Sequence, residues 1–82
     1  MRVLMIDDDQ KLIQLLQDYF PNFQIELKGA NDGKTGLALL RADQPDLVIL
    51  DVMLPEQDGF SVCKAIRNFS EVPILMLSAR GR

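Results

Sequence analysis

Two short stretches, "VLMI" at residues 3–6 and "LVIL" at residues 47–50, are apolar at every position and then break off into aspartates. A half-exposed strand alternates apolar and polar residues. A run with no polar member needs cover on both faces, which strands of a parallel sheet receive. "VPILML" at residues 72–77 repeats the pattern and ends in "SARGR". Between them, "FQIELK" at residues 23–28 alternates, so it is expected as a strand at the sheet edge with one face exposed.

The intervening segments carry the helical period. Leu12, Leu15, Leu16, Tyr19 and Phe20 recur at three- and four-residue steps, with Ile13 widening the stripe. Asp9 is expected to cap this helix, and Pro21 to stop it. "NDGKTG" lacks the spacing of a phosphate-binding glycine loop and reads as a turn and helix start. Leu37, Leu39 and Leu40 follow it, with Pro45 as terminator. After "PEQDG", Phe60, Cys63 and Ile66 fall at helical spacing, with Asp58 placed to cap. Phe60, Cys63 and the methionines are expected to serve packing rather than to hold a cofactor. Strand and helix alternate three times before a last strand, which predicts a parallel α/β sheet with right-handed crossovers.

Composition narrows the function classes. With 82 residues the chain is one domain at most, and its 48% hydrophobic and 26% charged content is that of a globular protein. A net charge of −3, with nine scattered basic residues, argues against a nucleic-acid surface on this chain. A single cysteine, Cys63, forms no intrachain disulfide and suits a reducing compartment. "MRVLMI" has neither the length nor the flanks of a signal peptide, and no apolar run nears the roughly 18 residues of a membrane span. A cytoplasmic location is expected. The absence of histidine removes Ser-His-Asp triads, Cys-His dyads and most zinc sites.

Ligands of open α/β sheets bind beyond the carboxyl ends of the strands, near the point where strand order reverses. Here the first strand ends in Asp7, Asp8 and Asp9, the third in Asp51, and the fourth in Ser78. If the first and third strands are neighbours, their acids converge. Two carboxylates roughly 8 Å apart repel by about 2 kcal/mol at an effective dielectric near 20. Hard oxygen donors with open positions suit Mg²⁺, which would offset that repulsion and shield an approaching phosphoryl group. Asp9 by itself is better read as a helix cap than as a ligand.

"DD" at residues 7–8 after "VLMI", "ILDVMLPEQDGF" around Asp51, and "PILMLSARG" together resemble the receiver domain of bacterial two-component response regulators, over all 82 residues. The "MLSARG" ending is similar to receivers that precede winged-helix DNA-binding domains. The resemblance implies a flavodoxin-like parallel sheet of strand order 2-1-3-4 and a phosphoacceptor, not a multiple-turnover enzyme. It implies that Asp51 attacks the phosphorus of a phosphohistidine in a partner sensor histidine kinase. Asp8 would ligate Mg²⁺ directly, Asp7 through a metal-bound water, and Met53 through its backbone carbonyl. Ser78 would be the switch hydroxyl on the phosphoryl group, Ala79 would leave room for it, and Pro55 and Gly59 would shape the loop. Catalysis would consist of positioning and charge neutralisation.

The resemblance also implies five strand–helix units, whereas this chain stops after the fourth strand. The last helix-strand-helix portion is therefore expected to be missing, and with it a lysine at the end of the fifth strand. Lys11, Lys28, Lys34 and Lys64 do not match that position. An uncovered apolar edge on the fourth strand invites pairing with another chain, so a homo-oligomer is expected, with Ile74 and Met76 left partly uncovered. An assembly fragment with a vestigial site is the competing reading. An aspartyl phosphatase is disfavoured because that chemistry wants a second acid at position 53, which is Met.

Overall fold

A computed structural model describes residues 1–78. The elements run β1 (Arg2–Ile6), α1 (Gln10–Tyr19), a 3-10 turn (Phe20–Phe23), β2 (Glu26–Ala30), α2 (Gly33–Asp43), β3 (Leu47–Asp51), β4 (Met53–Leu54), β5 (Gln57–Asp58), α3 (Gly59–Arg67) and β6 (Ile74–Leu77). The main sheet has the order β2-β1-β3-β6 with every pair parallel, while β4 and β5 form a two-residue antiparallel pair. This is the flavodoxin-like order expected above, with β6 standing as the fourth long strand.

Alternation along each strand sorts the core into two layers. Leu4, Ile6, Val48 and Leu50 face one side, where Leu40 of α2 and Val62 and Ile66 of α3 cover them. Val3, Met5 and Ile49 face the other side against Ile13 of α1. Met5, Ile6, Val48 and Leu50 have no exposed surface, so the polar-free runs of β1 and β3 are explained by cover on both faces. Each helix is capped as its residue types require. Asp9, Asp32 and Asp58 accept hydrogen bonds from the amides of Leu12, Thr35 and Ser61 at 3.0, 2.7 and 2.8 Å.

Four local expectations shift. The second strand begins at Glu26 rather than Phe23. Between α1 and β2 the 3-10 turn opens at Phe20 with Pro21 next, Gln24 closes it with φ 63°, and Phe23 stacks edge-on against Tyr19 at 5.2 Å between ring centroids. Alternation in "FQIELK" thus imitates a strand over residues that are still turning. The last strand begins at Ile74, not Val72, although Pro73 still accepts from the Val48 amide at 2.9 Å. Leu15 and Tyr19 of the expected α1 stripe are exposed, because α1 buries only the narrower face of Leu12, Ile13 and Leu16. Phe60 is exposed too, since it lies at the first turn of α3 beside the loop, ahead of the residues that meet the sheet.

Ile74 and Met76 of β6 are half-buried, as expected, and Leu75, 51% exposed, is the most uncovered position on the strand. Ile74 and Met76 pack on the α2/α3 layer, whereas Leu75 sits beside Ile49 in register on the opposite face, past the reach of α1. Among the described residues β6 pairs with β3 alone.

Candidate functional site

The register places the acids. Ile6 lies opposite Leu50, so Asp7 follows directly beside Asp51, and Leu77 pairs with Asp51 so that Ser78 comes one step beyond. The order reverses between β1 and β3, which is where a parallel sheet opens a crevice. Asp7 and Asp51 are the two buried polar or charged side chains among the described residues, at 6% and 5% exposure. Asp8 is exposed. One carboxylate oxygen from each of Asp7, Asp8 and Asp51 lies within 4.8 Å of the others.

Backbone amides hold the two buried carboxylates. The Asp9 amide donates to Asp7 Oδ1 at 2.9 Å, and the Met53 amide donates to Asp51 Oδ1 at 3.1 Å. Burial pushes the Asp7 carboxyl above its ordinary range. The Asp9 amide opposes that shift, and the charges of Asp51, Asp8 and Asp9 add to it. Among the described residues the one ion pair, Lys28 to Asp43 at 2.7 Å, lies at the far end of α2, so no cation neutralises the cluster. Three hard carboxylate donors converging on a groove that has no basic partner among the described residues fit a divalent cation of the Mg²⁺ class, which takes one or two carboxylates and retains waters.

Asp7, Asp8, Asp9, Asp51 and Ser78 line one groove, with Leu12 and Leu77 as its apolar wall. The chain therefore brings together the acids and the hydroxyl that the sequence singled out. Asp9 serves in this groove as the α1 cap, as expected. Met53 and Pro55 line an adjoining cleft with Asp8, Leu54 and Phe60. Gly59 sits behind Asp51: its amide donates to the Val52 carbonyl at 2.7 Å, and a Cβ there would lie 2.3 Å from the Asp51 carbonyl oxygen. Ala79 lies outside the described residues.

Two participants escaped the sequence reading. The Met53 amide is a backbone group with no side-chain signature. Asn31, inside a segment read as a plain turn, donates from Nδ2 to the Asp7 carbonyl at 3.3 Å. Its contact depends on the β1–β2 register, which pairs Ile6 with Ala30. No helix among the described residues is long and apolar enough to cross a membrane.

Comparison with known proteins agrees with this geometry. The family profile described as the response regulator receiver domain matches residues 3–82. A probable transcriptional regulator ycf27 of Guillardia theta is 40% identical over 80 residues, covering 98% of this chain and 32% of that protein. Transcriptional regulatory protein CseB of Streptomyces coelicolor is 44% identical over 79 residues, covering 96% and 34%. The chain thus spans about a third of the length of these curated relatives. Among solved structures, the BeF3-activated N-terminal receiver domain of Klebsiella pneumoniae RstA superposes with a TM-score of 0.91 at 26% identity, covering all of this chain and 70% of that one.

Proposed function

The chain belongs to the family of response regulator receiver domains, and from that premise we propose that it is the phosphoacceptor module of a two-component signalling system, with Asp51 as the accepting residue. The observation that carries this reading is the burial of Asp51 at the end of a central strand, with its carboxylate within 4.8 Å of those of Asp7 and Asp8. An Asp51 oxygen attacks the phosphorus of a phosphohistidine on a sensor histidine kinase; the N–P bond breaks and its electron pair returns to the imidazole. The Met53 amide fixes the rotamer of the nucleophile, so little reorganisation precedes the attack.

Asp7, Asp8 and Asp51, with the Met53 carbonyl, would hold Mg²⁺, which when bound supplies positive charge against the three phosphoryl oxygens. Ser78 faces the same groove and would donate its hydroxyl to the bound phosphoryl group. Pro55 and Gly59 shape the loop after β3, and residues 1–82 form a receiver domain fragment with four long strands. The relatives are named as transcriptional regulators, and the role proposed for this chain is within such a regulator, in the cytoplasm under a sensor kinase.

Incubation with acetyl phosphate or phosphoramidate in Mg²⁺ tests the proposal. Intact-protein mass spectrometry is expected to find one added phosphoryl group in wild type and none in Asp51→Asn. An unmodified wild type would remove the activity from this chain.

A second reading is favoured by the outer edge of β6, which has no strand beside it among the described residues, and by the exposure of Leu75: two copies associate through that edge, with assembly as the function. Sedimentation equilibrium is expected to show the weight-average mass rising with concentration. A monomer at high concentration would rule this association out.

A further inference from the structure

We propose that Asn31 is a positioning residue for the acidic loop, orienting the Asp7–Asp8 peptide and through it the carboxylate of Asp8. The inference rests on the reading of Asp7, Asp8 and Asp51 as a metal-dependent phosphoacceptor site. It concerns a residue from a different element, β2 and the turn after it, which no step of that reading uses.

The β1–β2 ladder ends at this point. The Asp7 amide donates to the Ala30 carbonyl at 2.9 Å, the last backbone bond between the strands. A further ladder bond would bring a backbone donor to the Asp7 carbonyl from beyond Asn31. Asp32, however, has already become the extended N-cap of α2, at φ −151° and ψ 169°, and its side chain is committed to the Thr35 amide. The Asn31 side-chain amide takes the vacant place and donates to the Asp7 carbonyl at 3.3 Å.

That carbonyl belongs to the same planar unit as the Asp8 amide, so a donor on the oxygen restrains the plane from which the Asp8 side chain departs. The restraint acts against a definite force. Asp7, Asp8 and Asp51 lie within 4.8 Å of one another and repel, and Asp8 is exposed and has no side-chain hydrogen bond among the described residues. Of the three acids it is therefore the one freest to swing away. A neutral amide donor holds the loop without adding charge to the cluster, whereas a carboxylate at position 31 would offer the Asp7 carbonyl no donor.

The test is a Mg²⁺ titration of the full chain followed by two-dimensional ¹H–¹⁵N NMR, on wild type, Asn31→Ala, Asn31→Leu and Asp8→Asn. The leucine variant fills the same space without a donor and serves if the alanine variant does not fold. Loss of one part-buried, long hydrogen bond is expected to weaken Mg²⁺ binding about two- to fivefold. In the metal-free state the Asp8 amide ¹⁵N resonance is expected to move, because it reports on hydrogen bonding at the Asp7 carbonyl. The thermal midpoint is expected to fall by no more than a few degrees. If wild type and Asp8→Asn titrate alike, the metal-dependent reading itself fails. If wild type binds more tightly than Asp8→Asn while the Asn31 variants keep wild-type affinity and the wild-type Asp8 shift, Asn31 has no positioning role.

Discussion

Metal-free Asp7→Asn protein is expected to be more stable than wild type, by about 1–2 kcal/mol, and to bind Mg²⁺ at least tenfold more weakly. A carboxylate pair 4.8 Å apart repels by roughly 3 kcal/mol at an effective dielectric near 20, and water on the groove side reduces that figure. Asparagine keeps the acceptor for the Asp9 amide, so the substitution removes charge without orphaning the donor. For a domain of this size the change corresponds to a rise in thermal midpoint of about 4–15 °C.

The pH dependence follows from the same site. Because the Asp7 carboxyl lies above its ordinary value of 3.8, the folded chain between 3.8 and that raised value holds a proton that the unfolded chain has lost. Its contribution to stability is complete below 3.8 and is lost as pH rises through the raised value. Asp32 behaves oppositely, since the Thr35 amide depresses it below 3.8; its contribution is present above that value and disappears as pH falls through the depressed one. Urea denaturation of metal-free protein across acidic pH should therefore show a downward slope above 3.8 that Asp7→Asn removes. An Asp7→Asn variant less stable than wild type at neutral pH would contradict the repulsion argument.

Gly59→Ala is expected to destabilise the protein by about 2–3 kcal/mol, a sizeable share of a small domain's roughly 5–15 kcal/mol. Alanine is the better helix former by about 1 kcal/mol, so propensity alone would favour the change. The clash decides the sign. The added carbon would stand 2.3 Å from the Asp51 carbonyl oxygen and 2.8 Å from Val52 Cα, both backbone atoms adjoining a strand paired on both sides. Neither can turn aside as a side-chain tip can. Relief by moving α3 would disturb the bond from the Gly59 amide to the Val52 carbonyl and the approach of Val62 and Ile66 to the sheet. The denaturation midpoint in urea measures the loss, and a midpoint at or above wild type would refute it. Phosphodonor labelling of Asp51 is expected to slow in the same variant.

The sheet was legible because burial on both faces leaves a polar-free run, and three such runs alternating with helical periods admit few arrangements. The acids were legible because Asp7, Asp8 and Asp51 terminate two of those runs. Legibility failed where two patterns share one signal. "FQIELK" alternates like a strand, yet Pro21 and the left-handed Gln24 keep the chain turning until Ile25. Leu15, Tyr19 and Phe60 match the helical period but have no sheet beneath them, and periodicity cannot tell how far a neighbouring layer extends.

The sequence by itself therefore determined the class of fold, the capped ends of the helices and the identity of the acids, since each depends on residues close along the chain. Tertiary structure decided what depends on register between distant strands. Pairing Ile6 with Leu50 and with Ala30 sets Asp7 beside Asp51 and brings Asn31 to the Asp7 carbonyl. Packing of α3 against the loop after β3 makes position 59 intolerant of a methyl group. Those contacts join residues more than twenty positions apart or turn on backbone spacing of tenths of an ångström, and neither leaves a pattern in the order of side chains.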